Sequence, residues 1–294
     1  DKSYDESKFA SAVANQLGTV HHDLILSNSD ALTVVPRLAY LYDEPFADSS
    51  QIPTVLLAEL AREHVTVAFS GDGADELFGG YNRYQLMQKY WSKISSIPIR
   101  YRKLATWLLL NTPTNKFNFM NKFNDKKLKV CDAFLAKDIN DLYLKLTSPI
   151  HDPNIWLNGF ETDLPDPLIS THKLSHCSDI ERMMVSDVLG YLPDDILTKV
   201  DRAAMSVSLE TRIPFLDHSV VEFAATIPDE MKIRQGENKW ILRQLLYKRL
   251  PQKLVDRPKM GFGVPLADWL RGPLREWCEA LLDPRRILNE GYLN

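Results

Sequence analysis

Val65-Thr66-Val67-Ala68-Phe69-Ser70-Gly71-Asp72-Gly73-Ala74-Asp75-Glu76-Leu77-Phe78-Gly79-Gly80-Tyr81 sets a strand, a glycine turn and an acidic cluster in immediate succession. Val65 to Phe69 is β-branched and apolar, the composition of a short buried strand. It runs into Ser70-Gly71, and Asp72, Asp75 and Glu76 follow directly. Gly71 and Gly73 free the backbone to approach a ligand closely and to take φ > 0. Carboxylates at this spacing offer oxygen ligands to a divalent cation. A strand end followed by a glycine turn is also where open α/β sheets bind nucleotides. The competing reading is a solvated acidic loop that caps a helix.

Upstream, Phe9, Val13 and Leu17 share one face of a predicted helix over Glu6–Leu17, closed by Gly18. Val20–Leu26 reads as a strand. Ala31–Tyr42 and Pro53–Glu63 read as helices, the first ended by Asp43-Glu44-Pro45. This order implies an α/β fold with parallel strands. After Gly80 the texture changes. Helices are predicted over Tyr84–Ile94, Pro98–Leu110, Cys131–Leu146, Ile180–Leu189, Asp194–Ser206, Ser219–Ala225, Lys239–Leu250 and Pro265–Leu281. Asn111–Lys129 has no clear period and reads as a loop. No comparable strand signal follows residue 80. The expected class is therefore helix-rich α/β: a partial parallel sheet over 1–80, then a mainly helical portion over 81–294.

Composition narrows the function classes. The chain has 294 residues, 45% hydrophobic and 25% charged, with a formal net charge of −4. That balance gives no support for nucleic-acid binding. Its 12 glycines favour helices over turn-rich β architecture. Three cysteines, Cys131, Cys177 and Cys278, form no CxxC pair and read as reduced thiols of a cytoplasmic protein. No apolar run approaches bilayer length, so no membrane partner is expected.

Two further stretches carry chemistry. In Leu192–Asp217, Pro193-Asp194-Asp195 reads as a helix start. Lys199, Asp201, Arg202, Glu210 and Arg212 then crowd together, either as functional groups or as an ion-pair network pinning a helix to a loop. In Asp256–Pro265, Pro258, Gly261, Gly263 and Pro265 forbid regular structure and place Lys259 on a shaped loop. A lysine there suits a phosphate or a developing anion, although most lysines are simply solvated. His21-His22 would point to opposite faces of a strand, and His172 and His176 lack further ligands.

Taken together, these stretches resemble the synthetase domain of the glutamine-dependent asparagine synthetases. Tyr4-Asp5-Glu6-Ser7, Leu17–Asp23, Asp43–Ser50, Ser70–Tyr81, Lys199–Asp217 and Arg257–Gly263 carry the resemblance in order. It implies an ATP pyrophosphatase-type domain, of the adenine nucleotide alpha-hydrolase-like superfamily. Such an enzyme uses ATP and Mg2+ to turn the aspartate side chain into β-aspartyl-AMP, which ammonia from glutamine converts to asparagine. By matching position, Ser70, Gly71 and Gly73 bind the nucleotide and Asp75 is a magnesium ligand. Asp72 and Lys259 are the implied catalytic residues. Asp72 orients or deprotonates ammonia, where the family often carries the longer glutamate; Lys259 stabilises phosphate charge. Related β-lactam-forming and other amide-forming synthetases share this pattern with a different acid, and a non-catalytic nucleotide- or partner-binding domain is the rival from another class.

No SGGxDS pyrophosphate loop and no glutaminase domain occur in the sequence. The expectation is a partial synthetase domain of a longer enzyme, inactive by itself. An exposed sheet edge would promote self-association into a homo-oligomer.

Overall fold

A computed structural model describes residues 7–23, 25, 27–111, 129–148, 156–159, 174, 176–256 and 264–293. The chain divides into two compact units, one of Asp1–Gly80 with Asp187–Leu281, the other of Tyr81–Ser186 with Leu282–Asn294. The described residues are mostly helical, with one small parallel sheet, so the fold is helix-rich α/β.

The first unit is built around that sheet. β1 (Val67–Phe69) pairs in parallel with β2 (Glu210–Arg212), in the register Val67↔Glu210, Ala68↔Thr211 and Phe69↔Arg212. Glu210 N donates to Thr66 O and Ser70 N to Arg212 O, both at 2.9 Å, which carries the ladder one residue past each end of β1. Alternation along β1 sorts its side chains. Ala68 packs on Ala58, Ala204 and Leu209, whereas Phe69 is 77% exposed.

Two helices cover the Ala68 face. Gln51–His64 buries Ile52, Val55 and Ala58 along one stripe, at helical spacing. Thr198–Met205 buries Ala203 and Ala204 and packs closely on it, because alanine lets helix backbones approach. Ala31, Val34, Val35, Ile52, Val55, Ala203 and Trp269 form one core. Leu77, Phe78, Ala224 and Ile227 form a second, in which the Phe78 and Phe215 rings meet edge-on at 5.9 Å.

The second unit is helical. Asn82–Ile94, Ile139–Thr147 and Asp179–Ser186 pack on one another around Tyr84, Met87, Leu142, Tyr143 and Met183. Arg102 is buried there and donates to the carbonyls of Phe134 and Ala136 at 3.3 and 2.8 Å.

Several sequence expectations need correction. Val20–Leu26 is not a strand: residues 20–23 and 25 lie outside regular structure, and 24 and 26 lie outside the described residues. His22 instead stacks on His64, ring centroids 4.3 Å apart, and His21 pairs with Asp23. A strand does follow residue 80, since β2 supplies the partner of β1. Its sequence, Glu-Thr-Arg, lacks the apolar alternation that marks a strand. Pro193 does not start a helix; it sits inside a wide π-helical segment over Asp187–Leu197. Its carbonyl accepts the Thr198 hydroxyl at 2.9 Å. The predicted helix over Pro265–Leu281 breaks at Gly272 into Leu266–Arg271 and Arg275–Leu281. The predicted loop at 111–129 falls almost wholly outside the described residues.

Candidate functional site

The turn after β1 lies at the C-terminal end of the sheet, because the Ser70 N–H closes the ladder on Arg212. The Ser70 hydroxyl then donates to the Asp72 carboxylate, which folds the turn back on itself. Gly71 has open space where a side chain would be, so its backbone is accessible. Gly73 adopts φ +80°, and a Cβ there would lie 2.6 Å from Leu216 Cδ2. Glycine is thus required twice over at 73, for the dihedral and for the contact with the chain leaving β2. The short helix Ala74–Leu77 follows and turns Asp75 towards the segment around residue 239.

Asp75 Oδ2 lies 3.1 Å from Lys239 Nζ, with the two side chains 24% and 30% exposed. Gly80 packs against both: a Cβ on it would overlap the Asp75 carboxylate and the Lys239 side chain. Asn238 Nδ2 donates to Gly80 O at 3.2 Å, and Gly80 N donates to Asp75 O at 2.8 Å. Gly79, at φ +66°, abuts Ile233. Lys239 itself sits at φ 52° and ψ 37°, the left-handed region. For a non-glycine residue this costs about 1–2 kcal/mol. A part-exposed ion pair contributes about 0–1 kcal/mol.

A second polar cluster locks the Asp43–Ser50 turn. Lys199 Nζ donates to Asp48 Oδ2 at 2.6 Å, and Asp195 lies 4.0 Å away. Ser50 N and Oγ donate to the same Asp48 carboxylate at 2.9 and 2.7 Å. Burial pushes the Asp48 carboxyl up, but the Lys199 ammonium and the Ser50 donors outweigh it and hold the group below the usual carboxylate range. The Tyr42 hydroxyl donates to Lys199 O at 3.2 Å, and burial, with the Asp48 charge, pushes that phenol up. Arg202 reaches Asp43 at 2.8 Å. Lys199 and Arg202 are therefore engaged in pinning a helix to the Asp43–Ser50 turn. Beside them a cavity of about 510 Å³ is lined by Glu44, Leu197, Thr198, Asp201, Thr211 and Ile213, among others.

Lys259 lies outside the described residues, as does most of its loop. The base of that loop is anchored. Asp256 accepts from Tyr247, Arg243 and Gln252 at 2.5, 2.7 and 2.7 Å, and the Tyr247 hydroxyl foremost holds its carboxyl low. Thus Ser70, Gly71, Asp72, Gly73 and Asp75 share one turn of the first unit. Sequence reasoning passed over Lys239 and Asn238. Their only signal was Gly236-Glu237-Asn238, a turn-forming run ahead of the apolar Trp240–Leu246 helix.

The family model for asparagine synthase matches residues 1–294. The chain belongs to the asparagine synthase family. It is 31% identical over 285 residues to a Bacillus subtilis protein named asparagine synthetase [glutamine-hydrolyzing] 1, a match covering 96% of this chain and 44% of that protein. It is likewise 31% identical over 287 residues to a putative asparagine synthetase [glutamine-hydrolyzing] of Mycobacterium bovis, covering 95% and 42%. A Penicillium rubens protein named Amidase chyE matches at 22% identity over 316 residues, covering 100% of this chain and 46% of that protein. The family member described here thus spans less than half the length of these relatives. Its three cysteines are free thiols. Among the described residues no helix is long and apolar enough to cross a membrane.

Proposed function

We propose that this chain forms the synthetase portion of an ATP-dependent, glutamine-using asparagine-forming ligase of the cytoplasm. A side-chain carboxylate oxygen of aspartate attacks the α-phosphorus of ATP. The bond from that phosphorus to the bridging oxygen breaks, and pyrophosphate leaves. Ammonia then attacks the acyl carbon of β-aspartyl-AMP, AMP departs, and the nitrogen loses a proton. The observation that supports this reading is the whole-chain family match, together with the closeness of Ser70, Gly71, Asp72, Gly73 and Asp75 along the turn after β1 and the short helix that follows it.

The roles follow from chemistry. The open backbone at Gly71 and the neighbouring Ser70 and Gly73 suit a nucleotide phosphate. Asp72 is the carboxylate that orients or deprotonates the ammonia; it already holds the Ser70 hydroxyl, so it lies against the nucleotide residues. Lys259 is assigned to the charge on the α-phosphate. Asp75 would hold Mg2+. A hard cation that takes one or two carboxylates and fills its remaining positions with phosphate oxygen and water suits this turn. Among the described residues no group of three or more His, Cys, Asp or Glu converges into a protein cage. When bound, the cation would neutralise triphosphate charge.

In an intact protein carrying this chain, aspartate-dependent exchange of labelled pyrophosphate into ATP is the deciding measurement. Heavy oxygen in the aspartate side chain should reappear in AMP. Absence of exchange with every acid tried would remove the reading. The 294-residue chain has no SGGxDS run and is expected to leave ATP and aspartate unreacted by itself.

The match to a protein named as an amidase, which covers the whole of this chain and 46% of that protein, favours one second reading, the same adenylation with another acid. Exchange supported by a different carboxylic acid, and not by aspartate, would establish it.

A further inference from the structure

We propose that Lys239 is a positioning residue that makes cation binding at Asp75 conditional on a polyphosphate. The inference rests on Asp75 being the cation ligand of the reading above. Lys239 Nζ already occupies Asp75 Oδ2 at 3.1 Å. A divalent ion on that carboxylate would stand within a few ångströms of the ammonium, and like charges at that range repel strongly in a part-buried site. A polyphosphate changes the balance. Its oxygens complete the cation's shell, and its negative charge offsets the ammonium. Metal and nucleotide would then enter together, and a lone cation would be discouraged from the turn.

Three features show that the fold is arranged around this lysine beyond the needs of stability. Its backbone takes a left-handed conformation at φ 52° that glycine or asparagine adopts at lower cost. The strain is at least comparable with what a part-exposed ion pair contributes. Gly80 has no side chain at the one place where a side chain would overlap both partners. Asn238, the preceding residue, donates to Gly80 O and so ties the lysine segment to the acidic turn. A pair serving stability alone would be served as well by a lysine on relaxed backbone.

The test uses an intact protein carrying this chain, labelled with nitrogen-15 glycine and titrated with Mn2+. Paramagnetic broadening of the Gly71, Gly73 and Gly80 amides reports occupancy at the turn, with and without inorganic pyrophosphate. Lys239→Asn removes the charge and suits the backbone. It should lower the Mn2+ concentration for half-broadening about tenfold without pyrophosphate, and shrink the enhancement that pyrophosphate brings. Lys239→Arg, which keeps the charge, should titrate as wild type. The glycine spectrum shows whether each variant is folded, and Lys239→Gly, which fits the same φ, replaces Lys239→Asn if that one is not. A charge-free variant that titrates as wild type, while Asp75→Asn abolishes the broadening, overturns this inference alone. Broadening that survives Asp75→Asn overturns both the inference and the cation role of Asp75.

Discussion

Gly73 and Lys199 show how much single positions constrain the turn and its surroundings. Gly73→Ala forces a left-handed backbone on alanine and drives its Cβ into Leu216, 2.6 Å away. It should cost about 2 kcal/mol or more in denaturant unfolding. Lys199→Met leaves Asp48 as a part-buried charge without its counter-ion and should cost about 3 kcal/mol. The pH dependence distinguishes this from lost packing. In the wild type the folded Asp48 carboxyl lies below the ordinary carboxylate value, so its contribution is complete above that value. It is lost as the pH falls through the folded value. In Lys199→Met the lowering by the ammonium is lost while the burial remains, so the folded value rises relative to the wild type and acidification neutralises the stranded charge sooner. The stability gap between the two proteins should therefore narrow as the pH drops. A gap that stays constant would mean that Lys199 acts through packing alone.

Among the elements, the two-stranded sheet joins segments far apart in sequence. β1 faces a packed layer on its Ala68 side and is open on its Phe69 side. Ala68→Leu should overpack the contact with Ala58, Ala204 and Leu209 and cost about 1–3 kcal/mol, whereas Phe69→Ala should stay within about 0.5 kcal/mol. Denaturant midpoints of the two variants give the comparison. The helices were legible because their apolar residues recur at helical spacing, as in Phe9, Val13 and Leu17. β2 was not, because Glu-Thr-Arg carries no alternation of its own; only pairing with β1 makes it a strand. Pro193 misled for a related reason. A wide π-helical segment accommodates a proline that a regular helix would expel, and local propensity does not register that option.

At the scale of the molecule, residues distant in sequence meet to make the site. Lys199 meets Asp48 across 151 positions, and Asn238 meets Gly80 across 158. In an intact protein carrying this chain, Asp75→Asn should abolish both pyrophosphate exchange and amide formation, because cation and triphosphate are both affected. Asp72→Asn should retain most of the exchange and lose amide formation by about a hundredfold or more. Equal losses in both steps for Asp72→Asn would place it at the nucleotide instead of at the ammonia step.

Local chemistry is written in the chain itself. The Ser70–Tyr81 run announced a glycine turn followed by three acids, and the order of the motifs along the chain announced the family. The helical periods announced most of the helices. Those properties depend on neighbours in sequence, through backbone dihedrals and side-chain period. The partner of β1, the lysine that holds Asp75 and the pinning of the Asp43–Ser50 turn by Lys199 were decided only by the folded chain. Each is a contact between segments far apart in sequence, made where burial strengthens charge interactions and demands that polar groups be paired.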